Sequence, residues 1–234
     1  VLLAARQTAP IWPVVVLFAV VSIVVFFRWR ADRKRSDALR QFADDRGLQY
    51  IRKAKLTELG HAAAFRLFRV GRRRRLENVM RVSFPSFQMT IFDYCYSYGH
   101  GTNVQRTAIC FQSESWDFPT FSVTPRALFQ KISALVGLKG IVVESPVTFS
   151  QDYVLRGNHA KAVRDLFNGD VAEFYEHLGG YTEAADNSVL MYGPVGRLSP
   201  RQVENLMETG LQVLKLLCQR QDELRSELTN VSLA

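Results

Sequence analysis

The side chains with the plainest chemical potential lie between residues 93 and 100. Asp93 is followed by Tyr94, Tyr96 and Tyr98 at alternate positions, and His100 sits between two glycines. A carboxylate, a run of phenols and an imidazole are the parts of a proton-handling enzyme or a ligand sensor, since a general base must stand within hydrogen-bond reach of the group it serves. The same string also reads as a strand whose tyrosines cover a neighbouring element and whose histidine occupies the following turn, and that reading is preferred. No second group strengthens the chemical one. His61, His100, His159 and His177 form no pair at metal-ligand spacing, and Cys95, Cys110 and Cys218 make no Cys-x-x-Cys. A nucleophile elbow, a phosphate-binding loop and a dinucleotide fingerprint are all missing from the sequence. The expectation is a protein without enzymatic activity, metal or cofactor.

Arg72, Arg73, Arg74 and Arg75 are the other conspicuous group, four consecutive cations suited to an anionic surface. The 234-residue chain carries +8 overall, but residues 1–75 hold 17 Lys and Arg against 5 Asp and Glu, and the remainder 13 against 17. A basic front therefore precedes a mildly acidic body. On a soluble domain such a patch would suggest nucleic acid. Here the excess adjoins an apolar segment, where anionic lipid is the nearer counter-charge. Lipid headgroups, or an acidic surface of another integral membrane subunit, are the expected partners of Arg72–Arg75, and nucleic acid is not.

That apolar segment runs from Gln7 to Phe27, 21 residues without a charge. As a helix at ~1.5 Å per residue it would cover the ~30 Å hydrocarbon core of a bilayer. Trp12 and Trp29 bracket it, and Pro10 and Pro13 fall where a first turn tolerates a missing N–H. Arg6 alone precedes it, whereas Arg28, Arg30, Arg33, Lys34, Arg35 and Arg40 follow, the reverse of a signal peptide. The positive-inside rule then places the amino terminus outside and the body in the cytoplasm of a bacterial inner membrane. Trp12, Trp29, Arg28, Arg30, Arg33, Lys34 and Arg35 are the expected interfacial residues. In that compartment the thiols stay reduced, although a hairpin turning near Thr102 and Asn103 would set Cys95 opposite Cys110.

Elements must position these groups, and the periodicity predicts α+β. Asp32–Arg46 reads as an amphipathic helix stopped by Gly47, and an Ala-rich helix is expected over Thr57–Phe68. Asn78–Phe84, Phe87–Tyr98 and Gln105–Gln112 alternate as an antiparallel meander, with Phe87, Met89 and Ile91 on one face and Phe92, Tyr94, Tyr96 and Tyr98 on the other. Phe118–Val123 adds a strand, and Thr124 with Pro125 opens a helix to Val136. Gly140–Glu144 and Tyr153–Arg156 read as strands. Asn158 and Asp170 are expected helix caps, and Tyr181–Tyr192 a hairpin turning at Asp186–Ser188. Ser199 to Gln202 makes a capping box before a closing helix with Val203, Leu206, Met207, Gly210, Leu214 and Leu217 on one face. The predicted organisation is an anchor at 1–30, a basic juxtamembrane region at 31–75 and a cytoplasmic domain at 76–234.

The string Phe92 to Gly101, Thr107, Phe118 to Pro125, Phe149 to Gly157, Val163 to Phe167 and Leu190 to Tyr192, in that order, resembles an uncharacterised bacterial family with one amino-terminal span and one cytoplasmic domain of unknown function. The resemblance implies a membrane-tethered α+β domain and brings no activity or ligand set. Aromatic residues on both faces of one strand, with no chemistry beside them, suggest an accessory or assembly subunit of a larger membrane complex, photosynthetic, respiratory or otherwise, that docks through its aromatic face or its last helix.

Overall fold

The computed structural model describes residues 12–99, 101–127, 140–143, 147–167, 169–176 and 178–232. Its first element, α1 (Trp12–Asp45), is one helix of 34 residues, about 51 Å at ~1.5 Å per residue. The two predicted helical segments merge because neither Gly nor Pro interrupts the chain between Val14 and Asp45. Gly47, at φ +67°, ends the helix, and the Leu48 amide donates back to the Ala43 carbonyl at 2.9 Å. Only the carboxyl-terminal part of α1 enters the core, through Leu39, Phe42 and Ala43. From Val15 to Lys34 every side chain is exposed. Among the described residues no helix is long and apolar enough to cross a membrane. The described part of the uncharged run in α1 is Val15 to Phe27, thirteen residues before Arg28.

Eight strands form one antiparallel sheet in the order β1-β2-β3-β4-β8-β7-β5-β6. They are β1 (Gln49–Ala54), β2 (Arg72–Ser83), β3 (Gln88–Tyr98), β4 (Thr102–Gln112), β5 (Phe118–Pro125), β6 (Tyr153–Gly157), β7 (Tyr181–Asp186) and β8 (Ser188–Tyr192). The predicted alternation in β3 holds: Met89 and Ile91 join the core on one face, Phe92, Tyr94 and Tyr96 a second core on the other. The larger core lies under α1 and the closing helix α6 (Pro200–Ser232), with the short helices α3 (Val147–Asp152), α4 (Ala160–Leu166) and α5 (Asp170–Tyr175) beside them. Gly210 lets α6 lie close to the sheet, since a Cβ there would come within 3.0 Å of the Phe111 ring. The smaller core is closed by a 3₁₀ segment, Leu56–Ala64, and a single turn α2, Arg66–Arg69. Gly60, at φ +54°, interrupts the long helix expected there.

Several expectations change. The arginine run, to which the periodicity assigns no element, is the first part of β2, with Arg72 opposite Ser97 and Arg75 opposite Cys95. Residue 75 therefore falls inside a strand, and the sheet begins at residue 49. The β3–β4 hairpin turns between Tyr98 and Thr102, so Cys95 faces Gln105 and Cys110 faces Thr90. Both cysteines are free and buried. Of the strand expected over Gly140–Glu144, the described residues 140–143 contribute a bridge at Ile141, opposite Leu155. Thr124 and Pro125 end β5, and the helix expected through Val136 lies largely outside the described residues. His159 and Gly169, rather than Asn158 and Asp170, occupy the caps of α4 and α5.

Candidate functional site

Asp93 lies in the middle of β3 and is 1% exposed. Burying a carboxylate is costly unless it is paired and hydrogen-bonded, and this one is fully ligated. Arg35 on α1 grips it through Nη1 at 2.5 Å and Nη2 at 3.0 Å, Asn78 Nδ2 donates at 2.8 Å and Thr107 Oγ1 at 2.7 Å. These contacts fill the roughly four acceptor positions that a carboxylate offers. A bulge in β2 makes the Asn78 contact possible: the register shifts between Glu77 and Met80, and Asn78 takes φ +49°. The Asn78 carbonyl oxygen in turn accepts from Tyr50 Oη at 2.7 Å.

The network continues into the connection before α6. Arg35 also donates to the Leu198 carbonyl, through Nε at 3.0 Å and Nη2 at 2.7 Å, and the Leu198 amide donates to Thr107 Oγ1 at 2.9 Å. Two outer ion pairs reinforce it: Arg197 in that connection with Asp32 on α1, and Arg46, just after α1, with Glu204 on α6. A single buried carboxylate thus fixes α1 against β1, β2, β3, β4 and the connection before α6. Chemistry at Asp93 would need a free lone pair facing a substrate, and every position is taken.

The other predicted site residues separate into groups. Arg35, expected at the membrane interface, has a side chain only 14% exposed and belongs to this clamp. Arg28, Arg30, Arg33, Lys34 and Trp29 are exposed along α1, with the Arg33 guanidinium 5.5 Å from the Trp29 ring. Trp12 begins α1. Arg72, Arg73, Arg74 and Arg75 are exposed on β2, where Arg74 donates to the Phe68 carbonyl and Arg75 pairs with Glu77. Tyr94, expected on a contact surface, is buried against Phe68, its ring centroid 5.0 Å away. Its hydroxyl donates to the Val70 carbonyl at 3.3 Å, and burial pushes its pKa up to about 12. His100 lies outside the described residues.

Tyr96 and Tyr98 lead to a feature the sequence did not announce. On the sheet face away from α1, a cleft of ≈540 Å³ opens beside α2, floored by Tyr96, Val104, Arg106, Tyr181 and Tyr192. Gly71 makes its shape possible: at φ +81° it lies where a Cβ would come within 2.2 Å of the Tyr96 ring. Tyr181 and Tyr192 stack at 4.8 Å, and the Arg106 guanidinium stands 5.5 and 5.8 Å from their centroids. Arg106 Nη1 donates to the Gly193 carbonyl at 3.0 Å. Glu183 lies in the wall, accepting from the Arg66 amide at 2.6 Å, the Leu67 amide at 3.1 Å and Tyr192 Oη at 2.8 Å. Burial raises its pKa, and burial followed by the Glu183 carboxylate raises that of Tyr192. A second hollow of ≈710 Å³ adjoins the first across Arg66, Ser122 and Glu183. The sequence signal available was a glutamate in the middle of a short strand, between Thr182 and Ala184, but nothing local reports that β8 lies beside β4.

The clamp gives the molecule a common direction. Along α1, Phe42 joins the core of Met80 and Met89, Arg35 meets Asp93, and Trp29 and Asp32 share a hollow with Lys53 and Glu77. Passing from Phe42 towards Trp29 therefore runs the same way as from Met80 towards Arg72 on β2 and from Met89 towards Tyr98 on β3. The arginine run, the β3–β4 hairpin end and the amino-terminal half of α1 share one end of the domain.

No protein family and no curated protein matches the sequence. Among solved structures, the chain is similar to the crystal structure of the mycobacterial trehalose monomycolate transport factor A, TtfA. The two share a TM-score of 0.56 and 13% identity, over 79% of this chain and 95% of that one. Likeness at that identity shows the fold, an α+β domain with a large antiparallel sheet and packed helices.

Proposed function

We propose that this protein is a single-pass, membrane-anchored accessory or assembly subunit whose folded domain lies on the cytoplasmic side and docks onto a larger bacterial membrane complex. The observation that carries the reading is the exposure of α1: from Val15 to Phe27 its large apolar side chains are 51–75% exposed on every side. A collar of that kind is unfavourable in water and marks an apolar environment or partner. Counted from Gln7, the uncharged sequence is long enough for a span. Arg28, Arg30, Arg33, Lys34 and the four arginines of β2 share the end from which the collar projects, where each cation near an anionic leaflet contributes about 1 kcal/mol. A rigid clamp between anchor and domain suits a part that must hold another in place. The mycobacterial protein is described as a transport factor, and at 13% identity that cargo is not transferred to this chain.

Carbonate extraction of membranes from cells expressing the full chain tests the anchor. Resistance to extraction is expected, and so is its loss in Val20→Arg/Val24→Arg, since each arginine near a span's centre costs about 2.5–3.5 kcal/mol. Complete release of the unmodified chain refutes the anchor. Recovery only as a lone monomer in mild detergent, under conditions that preserve other complexes, refutes docking.

A further inference from the structure

The sheet face opposite α1 is closed by Leu56–Arg69 over β2, β3, β4 and part of β8, and beyond Leu67 the tyrosine cleft is open. We propose that this cleft binds a single-chain amphiphile with an anionic head, of the long-chain carboxylate type. Its chain would lie against Tyr96, Val104 and Leu67 and its head on Arg106 and Arg66.

Three observations converge on that chemistry. The volume, ≈540 Å³, falls in the ~300–1,000 Å³ range of small-molecule sites, which are mostly apolar with a few placed polar groups. The lining also carries more positive than negative charge: two guanidiniums, Arg66 and Arg106, against the one carboxyl of Glu183, which feels Arg66 without pairing to it. Among the described residues no carboxylate ion-pairs with Arg66 or Arg106. The one acid in the wall, Glu183, is turned to two backbone amides and Tyr192. Arg106 is held over two tyrosine rings, and its Nε is buried without an acceptor. A guanidinium so placed matches a carboxylate in charge and shape. Finally, the mouth is apolar: Val70, Tyr98 and Val195 are 38%, 63% and 63% exposed. A small hydrophilic anion would leave those walls unused, and a neutral hydrocarbon would leave the arginines unused. The Tyr98 end of the cleft belongs to the same end of the domain as the apolar half of α1. Supply of the ligand from a lipid phase, and only that step, rests on the anchored reading.

The test is photolabelling of the full chain in a neutral maltoside detergent with a diazirine-bearing long-chain carboxylate, its alcohol counterpart, and mass-spectrometric mapping of the adducts. Adducts are expected on β3, β4 and β8 around Tyr96, Val104 and Tyr192. The alcohol should label these sites ~10-fold less, the effect of one lost charge-assisted hydrogen bond. Arg106→Gln should lower carboxylate labelling by a similar factor, whereas Arg126→Gln, away from the cleft, should not. Added anionic phospholipid should not compete, and competition equal to that of free carboxylate would overturn the single-chain assignment in favour of a bilayer lipid. Equal labelling by acid and alcohol, or adducts confined to α1, overturns the site. If Arg106→Gln unfolds, the acid-to-alcohol comparison on the unmodified protein decides alone. Carbonate extraction reports on the anchor separately, so failure of one reading is distinct from failure of the other.

Discussion

Asp93→Ala is the perturbation with the largest expected consequence. It removes four hydrogen bonds at once and leaves Arg35, Asn78 Nδ2 and Thr107 without their acceptor inside the domain. Breaking a buried ion pair by deleting one partner costs about 3–5 kcal/mol, because the surviving charge is stranded. At about 2–4 °C per kcal/mol for a domain of this size, the melting temperature of the full chain in detergent, followed by tryptophan fluorescence or near-ultraviolet circular dichroism, should fall by about 6–20 °C. The control is a double-mutant cycle with Arg35→Met and Asp93→Leu. Removing both charges abolishes the stranded guanidinium, so the double variant should be more stable than the sum of the single losses implies, by about 0.5–3 kcal/mol. It should still fall short of the unmodified protein, since Asn78 and Thr107 lose a partner either way. A drop below about 2 °C for Asp93→Ala, or additivity within about 0.5 kcal/mol in the cycle, would refute the clamp.

Three further outcomes follow from the same structure. Burial pushes the Cys95 and Cys110 thiols up to about 12 and Cys218 to about 11. A thiol reagent at pH 8 should therefore leave Cys95 and Cys110 unmodified in the folded chain and reach all three cysteines after unfolding, and rapid native labelling of Cys110 would contradict its placement. Glu183 is raised above its ordinary 4.5 by burial, so the fold favours its protonated form. Its stability contribution is complete below about pH 4.5 and declines as pH rises through the folded value. Glu183→Gln cannot ionise, and the stability difference between unmodified protein and variant should fall with rising pH across that window; a flat difference in pH-resolved melts counts against a buried, raised carboxyl. Gly157→Ala would place a Cβ 2.6 Å from the Thr120 carbonyl and 2.7 Å from Val163 Cγ2. A loss of about 1–3 kcal/mol is expected by thermal denaturation, and a neutral result would show that β5 and α4 can yield.

What the sequence revealed was local. The alternation of β3, the hairpin between β7 and β8, and the box in which the Ser199 amide donates to Gln202 Oε1 at 2.9 Å are written in neighbouring residues, and all three appear. The misses concern pairing across distance. A turn placed near Thr102 rather than around residue 100 shifts the β3–β4 register, and that shift alone separates Cys95 from Cys110. Four consecutive arginines carry no alternation to announce a strand, and each stays exposed while the backbone pairs with β3. Arg35 resembled its basic neighbours and differs from them only in facing Asp93, 58 residues away. The tyrosine cleft needs β4, β7 and β8 side by side, an adjacency that no short window encodes.

The position of Arg35 also shows why the basic front of the sequence is not one surface. Arg28, Arg30, Arg33 and Lys34 point outward from α1, whereas the next cation turns inward to a carboxylate held by two neighbouring strands. Between Phe27 and Leu39 the helix has no breaker, so those cations stand at fixed angles about a rod whose lower half is bolted to the sheet. The β2 arginines reach the same end by a separate route, through a strand given its turn by Gly71 and its bulges by Arg73 and Asn78. Two basic elements about forty residues apart are thus carried to one end of a rigid body. On the anchored reading proposed above, a positively charged end beside an apolar collar would set the height and tilt of the domain relative to an anionic boundary, and the Asp93 clamp would transmit that setting to the sheet. If the clamp is loosened, the charge and the collar remain but the domain they hold is free to turn.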